Sequence, residues 1–529
     1  MDIEEQSDNP NMYNNVISDV ERPLSPTQRN IETSLLEVEI ERTFSPRFEL
    51  DGRRIVDVSS FMKQICEIGY HNPFNCSVVD MHIISEQRNG LSSQITLQCK
   101  MCGIQKKITT DSINTSKIND SVVLAATSIG IGYSQADEFF SVLDIPFMAN
   151  KTYNNSQDNI AHIIHDSALK SMEEAAKEEA EIAKNIGDVN KNGIPCITVV
   201  VDGAWSKRSY NVNYNALSGV ACIIGQRTGK LLYLNIRNKY CCICARAEHN
   251  ESYKTDHICY KNWNGSSTAM KSDIIVEGFK CSIEMHGLKY TKIVGDGDSS
   301  VYKKILETRP YGSACIEKIE CRNHLDRNLG TKLREISRRK KSLSTNCCVP
   351  ISIRKHIMTS TQRLCIAIKK ATQYRATETN DLADKIKLLK HDILNCPSHI
   401  FGEHKDCVAI NYFNCSPKDS EVNYVPEMKA CGVYEDILAC LHRITYNASS
   451  LLHNMNTNDA EHYNAVVCKF IGGKRVNFSL KNSYSIRCKA AALSFNEKSN
   501  YYNIIQKALT SKDPRSILKK IIARRHRKK

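Results

Sequence analysis

The pattern of apolar and polar positions changes several times along the chain, and the changes divide it. Residues 1–55 are polar, with Ser-Pro dipeptides at 25–26 and 45–46 and little apolar periodicity, which predicts a disordered arm. From Phe61 to Gly103 the chain turns compact and strand-like, ending in QITLQCKMCG, so a small module is expected over 60–110. Between about 118 and 150 two short helical patterns are broken by GIGYS, the shape of a helix-turn-helix. The Ala/Glu/Lys-rich stretch 155–185 predicts one long helix, read as a connector that completes a helical region over 113–190.

The texture then changes sharply. IPCITVVVDGAW (194–205), NALSGVACIIG (215–225) and GKLLYLNIRNKYC (229–241) predict three successive strands. A helical pattern from Ser267 to His286 leads into the strand KYTKIVGD, and a helix from Ser299 to Glu307 leads into the short strand EKIEC. Three antiparallel strands followed by strand-helix alternation indicate an α/β unit with a mixed sheet. Residues 326–454 read as predominantly helical, and 501–529 close the chain as a basic amphipathic tail, SILKKIIARRHRKK.

Composition sharpens this picture in three ways. A chain of 529 residues exceeds what one core usually organises, so three or more structural units are expected. No stretch approaches ~18 uninterrupted apolar residues, and the N-terminus lacks a basic region followed by an apolar one, so neither a membrane span nor a signal peptide is expected. The net charge of +14 favours polyanionic partners, and 23 cysteines in such a chain point to reduced thiols and zinc ligands rather than disulfides.

The first candidate zinc set is His71, Cys76, Cys99 and Cys102, with Cys66 competing with His71 for the fourth position. The second is Cys241, Cys244, His257 and Cys259, which would staple an insertion at 241–263 too short to carry its own core; Cys242 is expected to be a packed bystander. A third pair, Cys321 and His324, follows the strand EKIEC; two residues alone cannot fix a metal, and a buried thiol beside a helix-start histidine explains them equally well.

Asp202 and Asp296 each end a buried run, ITVVVD and KIVGD, where a carboxylate would sit at a sheet edge open to solvent. Two such residues on adjacent strands can share a divalent ion, and Glu461, on the helix expected in NTNDAEHYNAVV, is the candidate third acid. Hard oxygen ligands suit Mg2+ or Mn2+. Asp298 precedes Ser299, Ser300 and a helix, so it is assigned to N-capping, with metal binding kept open as an alternative.

DGAW, YNALSGVACIIG, RTGKLLY, NKYCCICARAE, KNWNGSSTAM, IIVEGF, VGDGDSSVYKKILETRPYG, IECRNHLDRNL and NDAEHYNAVV together resemble the Mutator-like transposase domain common in insect genomes, over roughly residues 60 to 500. The resemblance implies a ribonuclease-H-like core over 194–325 and 455–500, interrupted by a helical insertion domain at 326–454. It implies an acidic triad of Asp202, Asp296 and Glu461, and it brings Cys321 and His324 into the active-site neighbourhood. It further implies cleavage and joining of DNA, with transposon terminal inverted repeats and target DNA as partners and the zinc module and helix-turn-helix binding the ends. A homo-oligomer on DNA and a nuclear location are the corresponding expectations. The basic runs Arg338, Arg339, Lys340, Lys341 and Arg524, Arg525, Arg527 fit phosphate contact or nuclear import. The alternative is a domesticated relative that binds DNA or chromatin and no longer cuts.

Overall fold

The computed structural model of the chain describes residues 48–111, 118–210, 212, 214–297, 299–409, 415, 422–513 and 516–527. Most of the expected N-terminal arm and Asp298 lie outside the described residues. Residues Glu49–Lys529 form one compact unit.

That unit begins with α1 (Val58–Ile68), started by the Asp57 carboxylate accepting from the Ser60 amide. A three-stranded antiparallel sheet follows, β1 (Met81–Asn89), β2 (Ser92–Cys99) and β3 (Gln105–Thr109). Along β2 every second residue is buried, and Ile95 and Leu97 meet Ile68 and Ile108 in a core of four buried apolar residues. Such a core is too small to hold a module by itself.

Two short helices, α2 (Ile118–Ile129) and α3 (Tyr133–Val142), form the expected pair. They are not a free-standing reader: α2 is packed into the largest core, and Gly130, at φ +85°, approaches the Lys469 carbonyl so closely that a Cβ would collide with it. Buried Arg487 ties the same turn down, donating to the Ile131 carbonyl at 2.7 Å and the Phe470 carbonyl at 2.8 Å. The next helix, α4 (Asn150–Asn185), corrects the connector reading. Tyr153, Ile160, Ile164, Ala168, Met172, Ala175, Ala176 and Ala183 form a buried stripe, so α4 is a core helix. Its small residues let it lie close against the central sheet.

The central sheet has five strands in the order β6-β5-β4-β7-β8. β5 (Ser218–Gly225) runs antiparallel to both its neighbours, β4 (Cys196–Trp205) and β6 (Leu231–Asn238); β7 (Lys289–Gly295) and β8 (Glu317–Glu320) run parallel to β4. Between β6 and β7 come the short α5 (Cys242–His249) and α6 (Ala269–His286), and α7 (Ser299–Thr308) connects β7 to β8. Ile197, Val199 and Val201 of β4 face the core shared with α6 and α7, while Val200 and Ala204 face the core shared with α2 and α4.

After β8 the chain leaves through α8 (Arg322–Arg338) into a helical excursion: α9 (Ile351–Thr377), α10 (Leu382–Ile400), α11 (Lys405–Ala409), α12 (Val425–Ala430), α13 (Val433–Tyr446) and α14 (Ala448–His453). This excursion has its own core and a buried ion pair, Arg375 with Asp392, at 2.6 and 2.9 Å. The chain returns as α15 (Asn458–Phe470), which packs on β4, followed by α16 (Ser483–Glu497), α17 (Tyr501–Thr510) and α18 (Ser516–Arg527). No helix among the described residues is long and apolar enough to cross a membrane.

Candidate active site and metal centres

Strand register brings the first two acids together. β4 and β7 pair in parallel up to Val200 and Val294, so Asp202 and Asp296 each lie two residues beyond the last paired position, in matching register and on matching faces. Asp202 differs from expectation in one respect: it lies inside β4, which runs on to Trp205 against β5. Its carboxylate is reachable because β7, not β4, has ended.

Between the two carboxylates lies Lys271 of α6. Its Nζ is 3.0 Å from Asp202 Oδ1 and 3.1 and 3.2 Å from the Asp296 oxygens, and its side chain is only 5% exposed. The lysine reaches this point across the sheet because residue 203 is glycine; a Cβ there would sit 3.1–3.3 Å from the Lys271 stem. Burial pulls the ammonium's pKa down, but Asp202 and Asp296 outweigh it, and the group is held above its ordinary value.

Glu461 lies in the first turn of α15, with its Oε1 3.6 Å from His324 Nε2. One turn along the same helix, Asn464 Nδ2 donates to Asp202 Oδ2 at 2.7 Å, which places the glutamate's helix face against the aspartates. The Asn464 amide oxygen is buried with no hydrogen-bond partner in the protein. Cys321 is fully buried; it precedes α8, and its Sγ lies 3.3 Å from Thr457 Oγ1 just before α15. Asn323 donates to Asn458 Oδ1 at 2.8 Å, so the starts of α8 and α15 are pinned together and hold His324 beside Glu461.

These donors suit a hard divalent ion: aspartate oxygens that converge on one point, a glutamate on the helix that carries Asn464, and an unsatisfied amide oxygen. The point of convergence is filled by the Lys271 ammonium, and the three acids do not form a set with all ligand atoms within 4.8 Å, as three Cys/His groups among the described residues do. Sequence reasoning missed Lys271 and Asn464; neither a lysine near a helix start nor an asparagine within one carries a signal until the sheet places them.

Both predicted Cys/His sets assemble. His71, Cys76, Cys99 and Cys102 converge, with Cys102 Sγ 3.2 Å from His71 Nδ1 and the Met101 amide donating to Cys99 Sγ; Cys66 is exposed on α1 and outside the set. Cys241 and Cys244 Sγ lie 3.3 and 3.5 Å from His257 Nε2, with Cys259 Sγ 3.6 Å from Cys244. His257 Nδ1 lies 2.7 Å from the Thr255 carbonyl, which leaves Nε2 as the ligand atom. Burial would raise the Cys241 thiol, but the Cys244 and Ile243 amides and His257 outweigh it and hold it at about 6. Ligand atoms around tetrahedral zinc sit about 3.3–3.8 Å apart, and both sets could hold that ion. Cys242 is exposed rather than packed, because it opens α5 on its outer face.

Beside the acids lies a cleft of about 590 Å³ lined by Trp205, Lys207, Arg208, Tyr210, Tyr214 and Lys474, among others. The basic runs lie elsewhere. Arg338, Lys340 and Lys341 are exposed at the end of α8, where Arg339 is half-buried near Glu335. Arg524, Arg525 and Arg527 are on α18, with the Arg525 guanidinium over the Tyr502 ring.

A family model described as Mutator-like transposase matches residues 52–415, a span that includes Asp202, Asp296, Cys321 and His324 and ends before Glu461. No curated protein matches the chain.

Proposed function

Because the chain belongs to the Mutator-like transposase family, we propose that it binds the terminal inverted repeats of a DNA transposon and cuts and joins DNA strands at Asp202, Asp296 and Glu461. The observation that carries this reading is the shared register of the two aspartates at the end of the parallel β4–β7 ladder. The strand order, three antiparallel strands flanked by two parallel ones, supports a ribonuclease-H-like core, and the helical excursion between β8 and α15 supports the insertion.

In this reading Asp202, Asp296 and Glu461 would hold Mg2+ or Mn2+, an ion that would supply activation of water or a 3′-hydroxyl and charge stabilisation of the leaving oxygen in phosphoryl transfer. Asn464 fixes Asp202 through Oδ2 and leaves Oδ1 turned inward. His324 orients Glu461, and Cys321 with Thr457 keeps α8 and α15 in register. The cleft at Trp205 suits a single strand: Tyr210 and Tyr214 expose aromatic faces for base stacking, while Lys207, Arg208 and Lys474 neutralise phosphates. The zinc module, the α2–α3 region and the basic residues of α8 and α18 supply further DNA contacts, in the nucleus and as a homo-oligomer on DNA.

One observation favours the second reading, a derived DNA- or chromatin-binding protein that no longer cuts: the Lys271 ammonium stands where the cation must go. Labelled DNA carrying the flanking inverted repeats, incubated with the protein and Mg2+ or Mn2+, separates the two. Cleavage that disappears in Asp202→Ala and Glu461→Ala supports the transposase; binding with no cleavage supports the second reading; no salt-dependent binding at ~50 mM salt removes both.

A further inference from the structure

The helical excursion contains a third Cys/His set. His399 stands in the last turn of α10, His404 just before α11, Cys407 within α11, and Cys415 further along the same segment. Cys407 Sγ is 3.6 Å from His399 Nδ1 and 3.9 Å from His404 Nδ1, and Cys415 Sγ is 3.5 Å from His404 Nδ1. All four ligand atoms lie within 4.8 Å of one another. These separations are close to the roughly 3.3–3.8 Å between neighbouring ligands on one tetrahedral zinc.

The surroundings fit the same chemistry. Cys407 is buried, and Asn395 of α10 donates to its sulfur at 3.3 Å, the kind of outer contact that orients a thiolate ligand. The two imidazoles stand nearly perpendicular, with centroids 5.0 Å apart, so both can aim a nitrogen at one point without stacking. No carboxylate belongs to the set, which makes it soft and suited to zinc rather than magnesium.

The local chain also needs such a fastening. Between the end of α10 at Ile400 and the start of α12 at Val425, α11 is the one helix among the described residues, five residues long. The segment is pinched at its base: Gly402, at φ +90°, is so close to the Val422 carbonyl that a Cβ would sit 2.5 Å from it, and the Tyr424 amide donates to the Phe401 carbonyl at 2.9 Å. A segment pinched at its base in this way is one that a single ion can hold in place.

We propose that His399 Nδ1, His404 Nδ1, Cys407 Sγ and Cys415 Sγ bind one structural zinc ion that fastens α11 and Cys415 to the end of α10. The site stands whether or not Asp202, Asp296 and Glu461 perform catalysis.

Zinc content of the purified full-length protein, measured by mass spectrometry, tests it. Wild type is expected to carry one more zinc per chain than either Cys415→Ser or His404→Ala, and Cys244→Ser, which alters a different set, should lose its equivalent independently. Unchanged zinc content in soluble Cys415→Ser and His404→Ala would overturn the assignment. Limited proteolysis of wild type provides a readout that needs no variant: chelation should open new cleavage between 401 and 424, and cleavage there that ignores zinc would also overturn it.

Discussion

Asp202 and Asp296 are held together by two strands of a sheet that is buried on both faces, whereas Cys241, Cys244, His257 and Cys259 are held by an excursion with almost no core. In the first region the backbone is already fixed and the gathered charge is balanced by a side chain, Lys271. In the second, and in the set at His71, only a small apolar core among the described residues supports the ligands. The carboxylate site is therefore expected to survive without its ion, and the thiolate sites are not. On that expectation folding and metal binding would be separate events at one and a single event at the other.

Zinc removal should expose this contrast most strongly. Structural zinc contributes on the order of 10 kcal/mol to the folding of small modules. Chelation should therefore erase amide-exchange protection in β1–β3 while β4–β8 remain protected; equal loss in both sheets would break the comparison. Asp202→Ala and Asp296→Ala come next: losing several kcal/mol of charge stabilisation corresponds to a fall of about 1000-fold in strand cleavage. Each variant should still fold, with a modest loss of thermal stability, since buried Lys271 keeps one aspartate partner.

Lys271→Gln gives a smaller effect with two opposite signs. Removing a cation about 3 Å from both aspartates takes away the charge they share and should destabilise the metal-free protein by about 1–3 kcal/mol, less than for a fully buried pair because both remain partly hydrated. The same change should tighten Mg2+ or Mn2+ binding by about tenfold or more, measured by titration calorimetry. Unchanged affinity would mean that Lys271 does not compete for the ion. The smallest effect is on pH dependence. Lys271 is held above its ordinary value, so its contribution is fully present below the unfolded pKa of about 10.4 and is lost as pH rises through the folded value. Wild type minus Lys271→Gln stability should be flat from pH 7 to 10 and shrink above that.

Much of the sheet was legible because apolar runs bounded by turn residues have few alternatives. The run at 194–205 forms β4 at Cys196–Trp205, that at 215–225 forms β5 at Ser218–Gly225, and KYTKIVGD forms β7 at Lys289–Gly295. The two Cys/His sets were legible from spacing, since Cys-x-x-Cys presents two sulfurs from one turn. The third set was not singled out: His399-x4-His404-x2-Cys407 sits in a stretch read only for its helical pattern, and Cys415 is too far along to complete a familiar spacing. The helix at 155–185 was visible as a helix, yet its role was misread, because a stripe of alanines looks polar-neutral in sequence and becomes core only when a sheet lies against it.

The sequence by itself determined which segments could be strands and helices, which cysteines and histidines could share an ion, and which two aspartates stood at the ends of buried runs. These are local properties, set by side-chain periodicity and by the reach of a few residues. Only the tertiary structure decided that Asp202 lies within a strand, that Gly203 opens a path for Lys271, and that Asn464 and His324 hold the acids from helices far away in the chain. Those contacts depend on strand register and on which helix covers which face, and register is fixed only when distant segments bury their apolar surfaces together.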